Sequence, residues 1–449
     1  MARRRRLQHS EPAVSEHLLT ELRALSHPLH SPGDLDPLMN LIGDSRYVLM
    51  GEASHGTHEY YTWRAALSRR LISEKGFSFI AVEGDWPDCY RVNRFVRGDD
   101  QAGETAREVL HNFERWPTWM WANHEVLHFI EWLREHNTPL PHNRRVGFFG
   151  LDVYSLWDSL YEVLGYLSKH DSSAMPAARR AFQCFEPYGE DVQDYARATR
   201  WVNESCESEV VKLLSEMRHL SRQPPPAGDG EARFNAEQNA LVVRDAEHYY
   251  RTMIQGGPES WNVRDRHMVE TLDRLMAHHG AAAKAIVWEH NTHIGDARFT
   301  DMADDGMVNV GQLVREQHEG DGVVLVGFGC HRGRVIAGEE WDAPMKRMVV
   351  PPGRPGSWED VLRLAGPADR LLLLNEARNS SAMMEERGHR AIGVVYAPSR
   401  EQYGNYVPTV LPKRYDAFLS FVETEALRPL REVQPRDEGE VPETYPTGV

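Results

Sequence analysis

The chain has 449 residues, 41% of them hydrophobic, which is ample for a full core in one large domain or two smaller ones. Its net charge of -16 argues against a nucleic-acid partner, because phosphate binding needs clustered Lys and Arg. No stretch approaches the roughly 20 apolar residues of a membrane helix, so a membrane partner is not expected either.

Residues 1–36 read as a polar N-terminal tail. Its basic cluster, Arg3-Arg4-Arg5-Arg6, has no apolar run behind it and is not a signal peptide. Residues 37–153 read as the first part of an α/β core. Tyr47-Val48-Leu49-Met50 is a short buried strand that runs into Gly51-Glu52-Ala53-Ser54-His55-Gly56. A helix follows, with Thr57 as N-cap, Glu59 in its first turn and Gly76 as its stop. Arg64 lies about two turns into it. Its arm reaches the strand ends only by pointing back toward the helix N-terminus, as helical side chains do. Residues 77–82 form a second strand that ends at Glu83. Arg115-Trp116-Pro117-Thr118-Trp119-Met120-Trp121 holds three of the chain's 12 Trp residues. Core packing is the commoner fate of such residues; the alternative is an aromatic wall for an apolar or sugar-bearing ligand, with Trp119 as its candidate. A third strand over residues 146–151 ends at Asp152.

From 154 to 280 strand signals vanish and apolar residues recur at helical spacing. This stretch reads as a helical insertion over the cleft, broken by a surface loop at Gln223-Pro224-Pro225-Pro226-Ala227-Gly228-Asp229-Gly230. The α/β pattern resumes over 281–428. Ala285-Ile286-Val287-Trp288 runs into Glu289-His290-Asn291-Thr292-His293, and strands are expected at 323–327, 371–374, 391–395 and 417–421. Alternating strands and helices predict a mainly parallel twisted sheet flanked by helices. Residues 429–449 read as a flexible C-terminal tail. Cys89, Cys184, Cys206 and Cys330 show no CxxC pairing and read as reduced, mostly buried thiols of a cytoplasmic protein.

Four distant strands therefore end in acids or imidazoles. The carboxyl ends of parallel strands line one crevice, where ligands bind. This placement predicts one site built from Glu52, His55, Glu83, Asp152, His290 and His293, with Arg64 reaching in. Acids and imidazoles gathered there suggest proton transfer or metal chemistry. A neutral His55 can take a proton from water while a nearby carboxylate fixes its tautomer. The plain alternative is that Glu52 caps the helix amides and His55 is a turn residue. Glu83 could instead form a structural ion pair with Arg64 or Arg91, and Asp152 could cap the first helix of the insertion. Either histidine of E-H-N-T-H could be a hydrogen-bonded core imidazole. The spacing is not that of H-E-x-x-H. Arg264, in Asn262-Val263-Arg264-Asp265, could stabilise an oxyanion, clamp a carboxylate or lie on a helix surface. Gly327, Gly329 and Gly333 match no P-loop or G-x-G-x-x-G pattern, so a nucleotide cofactor is not expected.

At these residues the sequence resembles the erythromycin esterase family. The match rests on Gly51-Glu52-Ala53-Ser54-His55-Gly56-Thr57-His58-Glu59, Arg64, Ala81-Val82-Glu83, Asn262-Val263-Arg264-Asp265 and Glu289-His290-Asn291-Thr292-His293. The resemblance implies an α/β sheet with a helical portion over a cleft. It implies metal-independent, cofactor-free hydrolysis of the macrolactone ester of macrolide antibiotics, an antibiotic-resistance activity, with a small-molecule ester or lactone as partner. On that template His55 corresponds to the base that activates water. Glu52, Arg64, Glu83, Arg264, His290 and His293 correspond to residues that support catalysis or position substrate. The rival readings are a metal-dependent hydrolase or peptidase using the same Glu/His cluster, and a non-catalytic biosynthetic accessory protein. The oligomeric state is left open.

Overall fold

The computed structural model describes residues 11–431 apart from 171, 190–191, 201–204 and 223–229. Eleven strands are present among them: β1 (Ser26–Pro28), β2 (Tyr47–Met50), β3 (Phe79–Asp85), β4 (Gly147–Asp152), β5 (Ala285–Trp288), β6 (Val323–Ala337), β7 (Lys346–Val350), β8 (Arg370–Leu373), β9 (Arg387–Arg390), β10 (Tyr406–Thr409) and β11 (Ala417–Thr424). Nine make one sheet, ordered β1-β8-β11-β6-β2-β5-β3-β4, with β7 paired to β6; β9 and β10 pair separately. The six strands from β11 to β4 run parallel. Strands β2 to β5 are apolar and buried at nearly every position, because helices cover both faces of the sheet.

Two cores lie on the two faces. One is built from Ile80, Val82, Trp288 and Phe328 with Tyr60, Leu67 and Phe129. The other is built from Leu49, Ala81, Val287 and Leu325 with Leu18, Leu272, Val314 and Val361. The helix His58–Lys75, which carries the chain from β2 to β3, packs on the first face. The helix Val310–His318, between β5 and β6, packs on the second. The chain leaves neighbouring strands toward opposite faces, so a crevice opens at the carboxyl ends of β2 and β5.

The first of these helices starts at its expected N-cap, Thr57, and stops at Gly76, which takes the left-handed conformation (φ 67°). The Thr57 hydroxyl, however, bonds to Ser54 rather than to a helix amide. Every described element between 156 and 279 is a helix, with short turns between them and a third core around Leu160, Leu213 and Leu241. The proline-rich stretch 223–229 lies outside the described residues.

Several expectations need correction. Much of 1–36 is not a tail: Glu16–Leu25 is a helix that buries Leu18 and Leu22, and β1 adds an antiparallel edge to β8. Residues 1–10 lie outside the described residues, as do 432–449; Leu430 is docked by its amide on the Ala122 carbonyl. Residues 391–395 form no strand of the sheet. They cross the site loops through isolated bridges, Ile392 to Ser54 and Val395 to Gly338. Strand β8 pairs antiparallel with β11. Cys184 and Cys206 are joined in a disulfide, with Cα atoms 5.8 Å apart, while Cys89 and Cys330 are free and buried. Tertiary packing of the insertion brings two distant cysteines together, which no local spacing signals. This removes the support that four reduced thiols lent to a cytoplasmic location. No helix of the described residues is long and apolar enough to cross a membrane.

Candidate active site

Glu52 follows β2 and is 1% exposed. One of its oxygens lies 2.9 Å from His55 Nδ1, and the other accepts from Arg64 Nη2 at 2.7 Å. A carboxylate only accepts, so His55 carries its proton on Nδ1 and Nε2 is left as the basic atom. Arg64 is fully buried on the second turn of its helix, over the rings of Tyr61 (4.2 Å) and Trp288 (5.1 Å). Glu52 therefore bridges a permanent cation and an imidazole, and it caps no helix.

A second cluster lies beside the first. Arg264, in the helix Glu259–His279, makes a two-pronged contact with Asp152 (2.9 and 2.7 Å) and reaches Glu83 at 2.8 Å. Burial opposes the charges of Glu83 and Asp152. His293 and Arg264 more than offset this for Glu83, as Arg264 does for Asp152, so both carboxyls stay below the usual carboxylate range. The second oxygen of Glu83 accepts the His290 amide (2.8 Å). Glu83 thus pairs with Arg264, not with Arg64 or Arg91, and Asp152 serves Arg264 rather than the insertion's first helix.

His293 stacks flat on Trp261 (4.5 Å, 6°), with Nδ1 3.0 Å from Asp265 and Nε2 3.4 Å from Glu83. Burial would lower its pKa, but Asp265 and Glu83 raise it to about 10. His290 behaves oppositely. Burial, then the nearby His55, pulls it well below its ordinary value. Its Nδ1 accepts the Thr292 amide (3.3 Å), which puts the proton on Nε2, and its ring centroid lies 4.9 Å from that of His55. Among the described residues Nε2 meets no hydrogen-bond partner. Glu289 is fully buried, both its oxygens meet no hydrogen-bond partner among the described residues, and burial pushes its pKa well above the ordinary carboxyl value.

A cavity of about 60 Å3 opens onto this cluster, and His55, Glu83, Asp152 and Arg264 all line it. Glu52, Arg64, His290 and His293 stand behind that wall and orient it. Trp119 is a core residue, 1% exposed; Trp116 and Trp121 line the cavity in its place. The short 3-10 helix Thr118–Met120 turns Trp119 into the core. Among the described residues of the insertion region, only Tyr154 and Arg264 reach the cavity; much of the rest comes from the loop around Arg115 and from Trp341 and Val394. Trp116 donates to the Ala343 carbonyl (3.1 Å) and packs on Trp341 (4.7 Å), closing one side. Sequence reasoning missed Asp85, which holds Arg115 (2.6 Å), and Asp88. Asp88 lines the cavity, and burial, then Asp85 and Asp158, push it up to about 8. Their position directly after Glu83 was the available signal. Among the described residues no group of three or more His, Cys, Asp or Glu is arranged to hold a metal ion. Arg264 occupies the space between Glu83 and Asp152. A larger cavity, about 620 Å3, lies at the far ends of the helices Trp86–Val96 and Leu156–Lys169, where Arg94 and Arg97 are already paired with Asp99 and Glu231.

A family model described as erythromycin esterase matches residues 72–424. The matched span begins after the Glu52–His55 loop and Arg64. Erythromycin esterase type II of Escherichia coli is 23% identical over 336 residues, which cover 70% of this chain and 75% of that protein. Among solved structures, a Bacillus cereus protein superposes with a TM-score of 0.77 at 20% identity, covering 93% of this chain and all of that one. A succinoglycan biosynthesis protein gives 0.74 at 20% identity, covering 94% and 100%. A His-to-Asn variant of the erythromycin esterase EreC in its open conformation gives 0.63 at 16% identity, covering 89% and 97%.

Proposed function

The chain belongs to the erythromycin esterase family, and from that premise we propose that it hydrolyses a carboxylic ester or lactone by general-base activation of water at His55, without a metal. The observation that carries this reading is the Glu52 carboxylate shared between His55 and Arg64 (2.9 and 2.7 Å), beside a small cavity that His55 lines. With Nδ1–H committed to Glu52, Nε2 takes a proton from water as the oxygen attacks the ester carbonyl. The carbonyl oxygen gains the negative charge. Arg264, cationic and lining the cavity, supplies positive field to it. Collapse of the tetrahedral intermediate breaks the bond to the alcohol oxygen, which takes the proton back from His55; Asp88, a neutral acid on the same wall, is a second donor. Ester plus water becomes acid plus alcohol, with no other reactant.

The cavity accommodates an ester group and its nearest atoms. Erythromycin, the compound in the name of the Escherichia coli relative, would enter only with the Trp116–Trp341 contact open. A mass-spectrometric screen of macrolides, smaller lactones and acyl esters for the addition of one water tests the reading. Turnover lost in His55→Ala and fully kept after exhaustive chelation is expected. Activity that vanishes on chelation and returns with one added ion would overturn it.

A further inference from the structure

Asn291 sits between the two histidines of E-H-N-T-H and is fully buried. Its backbone amide donates to the Glu52 carbonyl (2.8 Å), and its own carbonyl accepts from Arg414 (3.0 Å). Its side chain spans β6: Nδ2 donates to the Phe328 carbonyl (2.7 Å) and Oδ1 accepts the Phe328 amide (3.3 Å). A Cβ on Gly51 would collide with that Oδ1, so the loop after β2 lies directly against it. One residue thus ties the loop bearing Glu52 and His55 to the turn bearing His290 and His293.

The orientation of this amide is set from outside the site. Its second N–H points at His389 Nε2 (3.2 Å), and His389 Nδ1 meets Glu359 at 2.7 Å. Glu359 also accepts the Arg390 amide (2.9 Å). Burial works against its charge, but the His389 bond and then Arg390 hold its pKa down to about 2. The carboxylate therefore takes the proton of His389 Nδ1, and Nε2 is left to accept from Asn291. Burial keeps His389 neutral. Donor and acceptor match at every step of the chain, and neither His389 (1% exposed) nor Glu359 (3%) borders the cavity.

We propose that Glu359, His389 and Asn291 form a positioning relay that holds the Glu52–His55 pair in register with His290. The relay rests on the proposed hydrolysis only for its kinetic readout. His389→Leu removes the acceptor, and His389→Gln keeps one acceptor and one donor in the same order. Steady-state kinetics on p-nitrophenyl acetate, counting only the turnover that His55→Ala abolishes, should show kcat reduced about ten- to a hundred-fold in His389→Leu, the scale of a misplaced reacting group. KM should stay within about two-fold and His389→Gln should recover most of the loss, since polarity and not bulk carries the effect. Full kcat in folded His389→Leu, or a folded His389→Gln as impaired as His389→Leu, would overturn the relay. If His389→Leu does not fold, Glu359→Leu releases the His389 tautomer with the ring in place and must show the same kcat loss. If the wild-type chain cleaves no ester, the hydrolysis reading fails but the relay is still read by nitrogen-15 imidazole spectra. His55 and His290 resonances must then move in His389→Leu and return in His389→Gln; unchanged spectra in both would sink it.

Discussion

Replacing Glu52 with Gln is the most revealing perturbation of this site, because Arg64 decides which way the new amide turns. Arg64 can only donate, and it is fully buried against Tyr61 and Trp288, so it cannot leave. The Gln oxygen must therefore serve Arg64, where Glu52 now accepts at 2.7 Å. Its NH2 group is then forced toward His55 Nδ1, where the carboxylate now sits at 2.9 Å. That nitrogen must become an acceptor, and the proton moves to Nε2, the atom proposed to receive the proton of water. An imidazole locked in the wrong tautomer by the same kind of carboxylate-to-amide change loses about 10⁴ in kcat in a serine protease. A drop of about 10³ to 10⁴ is expected here, or roughly 4–5 kcal/mol in the barrier. The assay is kcat on whichever ester the mass-spectrometric screen identifies, with imidazole nitrogen-15 shifts to read the tautomer. Adding Arg64→Met frees the Gln to turn its oxygen toward His55, so the double variant should exceed Glu52→Gln in kcat. Glu52→Gln with turnover within three-fold of wild type, or with the proton still on Nδ1, would refute the reasoning.

His55→Ala should lower turnover about a hundred- to ten-thousand-fold, the usual contribution of a general base, while a thermal melt shows the fold intact; near-normal turnover on the true substrate would pass the role to Glu83. Arg264→Met should cost roughly 3–5 kcal/mol in a urea titration, because it strands Glu83 and Asp152 as buried charges. Both carboxyls have depressed pKa values, so their stabilisation exists above the unfolded carboxyl range and is lost as pH falls through the folded values. The deficit of Arg264→Met should accordingly be greatest at neutral pH and narrow below about pH 4; a deficit independent of pH would exclude the ion-pair account. Asp88, held at about 8, should make the rate fall as pH rises past that value. Asp88→Asn should abolish that alkaline fall, and a pH–rate profile in which the fall persists would remove Asp88 from the reaction.

Much of this protein was legible locally. Tyr47–Met50 and Ala285–Trp288 are continuous apolar runs, and such runs are stable as strands only when both faces are buried, which the parallel sheet supplies. Thr57 and Gly76 bound their helix because N-cap and left-handed C-terminal conformations are single-residue properties. The acids and imidazoles after each strand were legible for the same reason: parallel strands deliver their carboxyl ends to one edge, so Glu52, Glu83, Asp152 and His290 meet whatever the loops do between them. What stayed hidden depends on residues far apart in the chain. Arg264 finds Asp152 across 112 positions and Glu83 across 181, and it is the packing of its helix on β4 that makes it a clamp rather than a surface residue. Trp119 and Trp121 are two residues apart with the same chemistry. Both are buried, and only the turn of a short 3-10 helix keeps one from the cavity and sets the other on its wall. The Cys184–Cys206 disulfide, the antiparallel β8 and the bridge from Ile392 to Ser54 are likewise pairings chosen by packing. Burial, periodicity and caps are written into neighbouring residues. Partners are not, because which groups meet is set by how the layers stack, and that is a property of the whole chain.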